Sequence, residues 1–131
     1  MNKILLILFS SLISFNSYGE WTKLFNQGGI TTYIDFSSIK TNRHVFFWEM
    51  RDYLKPIQFP GIPAEISSIQ LFYELDCNVP RKRKRLSIDY LPNPMGQGSV
   101  ALSDGAVEWR YPRPNSVGEE VNRRVCDYTN Q

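Results

Sequence analysis

The sequence predicts an α+β fold: an antiparallel sheet of about six strands with one C-terminal helix tied to it by a disulfide. Three observations carry this reading. Between Ser68 and Cys77 the residues Ile69, Leu71, Tyr73, Leu75 and Cys77 alternate with Ser68, Gln70, Phe72, Glu74 and Asp76, the period of two that a half-buried strand imposes. Clusters of Gly, Pro, Asn and Ser divide the rest of the chain into short β-prone runs. Near the end, Ser116-Val-Gly-Glu119 is a capping box that opens an amphipathic run.

The chain begins Met1-Asn-Lys3, continues through an apolar stretch from Ile4 to Phe15, and reaches Ser17-Tyr18-Gly19. That is the pattern of a signal peptide, residues 1–19, cut after Gly19. A membrane-spanning helix is the rival, but the stretch is shorter than the roughly 20 residues a bilayer core requires. Residues 20–131 then form one exported domain of about 112 residues. Its first residue, Glu20, offers no thiol for a lipid anchor. With 15 basic and 13 acidic side chains in the whole chain, loss of Lys3 leaves a net charge near +1. Such a balance argues against bulk nucleic-acid binding, which calls for a strongly basic face.

Two cysteines, Cys77 and Cys126, lie well inside the exported part. In an oxidising compartment an isolated pair is most simply a disulfide. A metal site is the alternative, yet two thiols with the single His44 make a poor ligand set. No cofactor is implied.

Glu20–Phe25 and Ile30–Asp35 read as strands around a hairpin turn at Asn26-Gln-Gly-Gly29, and Phe36–Ile39 reads as a turn. Arg43–Tyr53 places His44, Phe46, Trp48 and Met50 on one face and Val45, Phe47, Glu49 and Arg51 on the other. Large apolar groups on both faces predict a central strand covered on both sides. Lys55–Ala64 holds three prolines and a glycine, so it reads as a loop; its Ile57, Phe59 and Ile62 suit either a lid folded onto the core or a partner-binding tip. Arg83–Leu91 pairs with the Ser68–Cys77 strand across Asn78–Lys82, with Leu86, Ile88 and Tyr90 inward and Arg85, Ser87 and Asp89 toward water. Pro92–Gly98 is a further turn, followed by short extended pieces at Ser99–Ser103 and Val107–Tyr111. In the helix, Glu119, Glu120, Arg123 and Arg124 share one face, with Glu-to-Arg pairs four residues apart. Gly118, Val121, Asn122 and Val125 form the other face, bordered by Val117 and Cys126. Gly118 lets the helix sit close to the sheet, and Cys126 stands where it can meet Cys77.

The ordered set Tyr33-Ile-Asp35, Ser38-Ile39, Trp48, Tyr73-Glu-Leu-Asp-Cys77, Arg85, Ser87, Tyr90, Met95-Gly-Gln-Gly98, Trp109-Arg110, Pro114-Asn-Ser-Val-Gly-Glu119 and Val125-Cys126 resembles the surface-adhesin protein E family along nearly the whole exported chain. The resemblance implies an exported Gram-negative protein, with an antiparallel sheet and a disulfide-tethered helix. It also implies adhesion to host extracellular-matrix or serum proteins and a capacity to form homodimers.

No catalytic constellation is evident. His44 is the only histidine and sits mid-strand as a packed or surface ring; Asp35, Asp52, Asp76 and Asp89 are scattered; no phosphate-cradling glycine loop is present. The chain therefore reads as a non-enzymatic binding domain. Its candidate partner-binding residues are Arg81, Lys82, Arg83, Lys84 and Arg85, with Trp109 and Tyr111. Five consecutive cations can dock acidic protein patches or a sulfated glycan, or can simply guard a strand edge against aggregation. Alternation puts Arg81, Arg83 and Arg85 on one face and Lys82 and Lys84 on the other, although a hairpin tip would expose all five. Trp109 and Tyr111 are residue types favoured at interfaces, with burial under the helix the competing expectation for Trp109. The alternative function is a periplasmic accessory domain that binds another envelope protein by sheet-edge pairing.

Overall fold

The structure, a computed structural model, describes residues 20–130; the expected signal peptide lies outside the described residues. Strands β1 (Thr22–Gln27) and β2 (Ile30–Ile34) form a hairpin closed by Gly28 and Gly29, with φ of +62° and +78°. Two positive φ values in succession are what a type I′ turn demands, and its twist matches that of the strands. The turn needs only the two glycines, so Asn26 and Gln27 pair with Thr31 and Ile30, and β1 lies about two residues later than the sequence suggests.

After a single 3₁₀ turn at Phe36–Ser38 come β3 (Lys40–Asn42), β4 (His44–Gln58), β5 (Glu65–Asp76), β6 (Lys82–Leu91), β7 (Leu102–Asp104) and helix α1 (Val117–Thr129). All pairings are antiparallel in one seven-stranded sheet of order β1-β2-β4-β5-β6-β7. β3 lies along the start of β4, and β2 along its middle.

The alternation of β4 and β5 sends Val45, Phe47, Ile69, Leu71, Tyr73 and Leu75 to one face. There they form the core with Ile34, Ile66, Ile88 and the α1 residues Val121, Val125 and Cys126. Met50 is fully buried on the opposite face, beneath a turn at Pro94–Gly96. That turn is pinned by Met95 N–H donating to Asp52 (2.8 Å) and Gly96 N–H donating to Ser68 Oγ (2.9 Å). β4 is thus covered on both sides.

Helix α1 starts where the capping box predicts. Ser116 Oγ accepts from Glu119 N–H at 3.2 Å, while the Glu119 carboxylate reaches back to Asn115 N–H at 3.1 Å. Glu119 is therefore committed to the cap, and Arg123 pairs instead with Glu120 and Asp127. The Cys77–Cys126 disulfide, Cα atoms 5.8 Å apart, joins the residue after β5 to the buried face of α1.

Three expectations need correction. β4 does not stop at Tyr53 but runs on to Gln58, so the loop is confined to Phe59–Ala64. Between Asp52 and Ile57 its pairing with β5 is interrupted by extra residues, and Pro56 falls in this interruption, where no ladder N–H is required. In the loop, Phe59 packs on Tyr53 and Tyr90, and Ile62 is buried, the arrangement of a lid. The extended piece expected at Ser99–Ser103 is a strand only over Leu102–Asp104, and Val107–Tyr111 is no strand but carries a single bridge from Arg110 to Arg83. Finally, Leu86 is the extra residue of a β-bulge: Phe72 pairs with Ser87, but Tyr73 pairs with Arg85. A bulge exchanges faces beyond it, so Arg85 joins the core-side face instead of pointing to water.

The buried face of α1 carries a polar side chain, Asn122. Asn122 is 1% exposed, and neither atom of its amide has a partner among the described residues. Desolvating an unpaired amide is costly, so Asn122→Leu, which keeps the branched shape of the side chain, is expected to raise stability by about 1 kcal/mol. A higher urea midpoint with an unchanged slope would bear this out; a lower midpoint would mean that the amide is paired in solution.

Candidate functional site

The bulge at Leu86 shapes the candidate site. It places Arg83 and Arg85 opposite Leu75 and Tyr73 on the helix-side face, while Lys82 and Lys84 lie opposite Asp76 and Glu74 on the other face. The split expected from alternation therefore holds, but exposure of all five cations at a hairpin tip does not: Arg81 through Arg85 are each half-buried.

Glu49 lies beneath the arginines. Its strand position aims it at the core side, where it is 1% exposed. The carboxylate accepts from Arg51 Nε at 2.7 Å and from Arg83 Nη1 at 3.4 Å. A buried carboxylate requires such partners, and its proximity pushes the Arg51 guanidinium further above its ordinary range. Arg83 also stacks over the Tyr73 ring, its guanidinium carbon 4.3 Å from the ring centre. Burial, reinforced by Glu49, raises the Tyr73 phenol above its ordinary 10.0, so it remains a neutral hydroxyl at physiological pH. Gly118 on α1 makes room for this arrangement: a Cβ there would lie 2.9 Å from Arg83 Nη2.

The segment after β7 returns along β6. Arg83 N–H donates to Arg110 O (2.9 Å), Arg110 N–H to Arg83 O (2.8 Å) and Val107 N–H to Arg85 O (3.0 Å). This pairing lays Trp109 and Tyr111 beside the basic run. Trp109 is not buried under the helix. It is half-buried on the opposite face, its ring 5.3 Å from His44 edge-on and beneath Lys82 Nζ at 5.3 Å. The physical reason is the backbone bridge at Arg110, which turns its neighbour away from α1. Tyr111 is 63% exposed. His44 is a half-buried ring, with Nδ1 2.7 Å from Glu74 Oε2 and Nε2 3.8 Å from Asp76 Oδ2.

Two adjoining hollows open on the helix-side face, of about 510 and 420 Å³, sharing Arg51, Arg83, Pro112 and Arg113 in their walls. Arg85, Arg110 and Tyr111 also line the larger, and Glu49, Val117 and Gly118 the smaller. Glu49, Arg51, Arg110 and Arg113 were not legible as site residues. The one signal was a carboxylate between Trp48 and Met50, in an otherwise apolar strand centre. No helix among the described residues is long and apolar enough to cross a membrane.

A family model described as surface-adhesin protein E matches residues 21–127. Among solved structures, the selenomethionine form of Haemophilus influenzae protein E is similar, with a TM-score of 0.63 at 15% identity, covering 86% of this chain and 89% of that one. A second structure of Haemophilus influenzae protein E gives 0.59 at 16% identity, with coverage of 85% and 97%. Its crystal form II gives 0.61 at 17% identity, with coverage of 84% and 99%. At these identities the likeness is one of fold. No curated protein matches the sequence.

Proposed function

The chain belongs to the surface-adhesin protein E family, and from that premise we propose that it is an exported, non-enzymatic binding domain displayed on a Gram-negative cell surface, where it contacts host extracellular-matrix or serum proteins. The contact surface is the flank of β6: the cations Arg81 to Arg85 with Trp109 and Tyr111. The observation that supports this most directly is the backbone pairing of Arg110 with Arg83. It aligns two aromatic side chains of the kind that anchor interfaces with a row of cations that favours acidic partners.

The experiment uses Lys82→Gln/Lys84→Gln and Trp109→Ala/Tyr111→Ala, which spare the Glu49 network. Retention on immobilised matrix and serum proteins is expected to fall about tenfold in each, the loss of about 1.4 kcal/mol that one interface anchor typically contributes. Retention equal to that of the parent protein would overturn the assigned surface. Failure of an external protease to cleave the protein on intact cells would overturn surface display. It would favour a periplasmic domain pairing through the free edge of β1, which has only β2 as its neighbour in the sheet.

A further inference from the structure

The larger hollow has features that docking a protein on the β6 flank does not require. Arg51 from β4, Arg83 and Arg85 from β6, and Arg110 and Arg113 from the returning segment line it, against Glu108 at the wall and Glu49 beneath. This concentrates cations in a chain whose overall formal charge is only +2. Arg85 Nη2 donates to Gly105 O at 3.3 Å, but its Nε is buried with no hydrogen-bond partner among the described residues. Buried donors are rarely left in that state. The remaining walls are apolar or aromatic, with Tyr53, Phe59, Ile69 and Tyr111 among them. A volume of about 510 Å³ falls within the range of small-molecule sites, which pair an apolar enclosure with a few converging polar groups.

We propose that this cleft is a binding site for a phosphate or sulfate ester carried on a sugar-sized ring. The guanidiniums come from three separate segments of chain, so their donors approach from several sides, which suits a tetrahedral oxyanion better than one planar carboxylate. Glu49 holds Arg51 and Arg83 from below, and the Tyr73 ring supports Arg83, so these donors are set in place before any ligand arrives and little ordering is left to oppose binding. Arg85 adds a further guanidinium to the cleft wall, and the Tyr53, Phe59 and Tyr111 side chains form the surface against which the ring lies. The cleft shares Arg83, Arg85 and Tyr111 with the docking flank, but Lys82, Lys84 and Trp109 lie on the other face of the sheet, so replacing those three tests docking without touching the cleft.

The test is titration calorimetry of the intact domain at low salt with glucose 6-phosphate, glucose 6-sulfate, glucose and inorganic phosphate. At least one ester is expected to bind with a dissociation constant below about 1 mM, and the tighter of the two identifies the natural source of the anion. Glucose is expected not to bind, and inorganic phosphate to bind at least about fivefold more weakly than the better ester. Arg85→Gln and Arg113→Gln are each expected to weaken that ester about tenfold, and Arg85→Lys to recover only part of the loss. The proposal is overturned if neither ester saturates, if inorganic phosphate binds as tightly as the ester, or if Arg113→Gln binds like the parent. Arg113 is exposed, so its replacement remains decisive even where Arg85→Gln disturbs folding. A domain that binds the ester yet adheres to no host protein would refute the adhesion reading and leave this one standing.

Discussion

Glu49→Gln is expected to destabilise the domain by about 3–5 kcal/mol, the usual consequence of removing one partner from a buried ion pair. The substitution keeps the side chain's shape and an acceptor oxygen, so no cavity is made; what disappears is the negative charge between two guanidiniums. The loss falls unequally on them. Arg51 has a side chain that is 31% exposed, and its flexible stem can carry the charge outward to water. Arg83 is 15% exposed, stacked on Tyr73 and confined by Gly118, so its charge stays where it is. A second substitution therefore separates the contributions. Arg83→Met in the Glu49→Gln background should recover more than half of the loss, because an apolar replacement of a buried pair is often neutral, whereas Arg51→Met should recover little. Urea unfolding of the two singles and the two doubles measures this. A Glu49→Gln midpoint indistinguishable from the parent's would show that the carboxylate is not what holds the arginines.

The parts of the fold that were legible are those in which one local rule acts alone. The alternation from Ile69 to Leu75 predicted a buried face, and every one of those odd-numbered residues is buried. Ser116 and Glu119 marked the start of α1, and the two cysteines could be paired once export was assumed. The parts that were not legible depend on neighbours. Leu86 looks like an inward residue in a Leu86, Ile88, Tyr90 series, and only the register against Phe72 and Tyr73 makes it a bulge. That single extra residue moves Arg85 from the water side to the cleft, and with it the meaning of the basic run. Pro56 reads as a strand breaker until the unpaired stretch of β4 gives it a place. Trp109 reads as a helix-covered core residue until the Arg83–Arg110 bridge sets its orientation. Arg51, Arg110 and Arg113 are far apart in sequence and become one wall only through tertiary structure, so no spacing rule could have joined them.

Replacing both Cys77 and Cys126 with Ser is expected to cost about 4 kcal/mol, the loop-closure entropy of a bridge spanning 49 residues. Against a typical total of about 5–15 kcal/mol, that is a large share. The native-state consequence should be local before it is global. α1 has 13 residues, too few to be stable alone in water, so what keeps it folded is Val121, Val125 and the bridge. β4 and β5, by contrast, are paired along most of their length on both edges. On reduction, amide hydrogens in α1 should therefore exchange well before those of β4 and β5. Equal protection in helix and strands after reduction, or a stability change under about 1 kcal/mol, would show that apolar packing alone holds the helix. The effect should extend to the cleft. Ser116, Val117 and Gly118 wall the smaller hollow next to Arg83, so a helix that lifts away removes one side of it and leaves the Arg83 stack on Tyr73 open to water. The reduced protein should then bind anions more weakly than the oxidised protein while its sheet remains intact, a coupling that calorimetry with and without reductant reads directly.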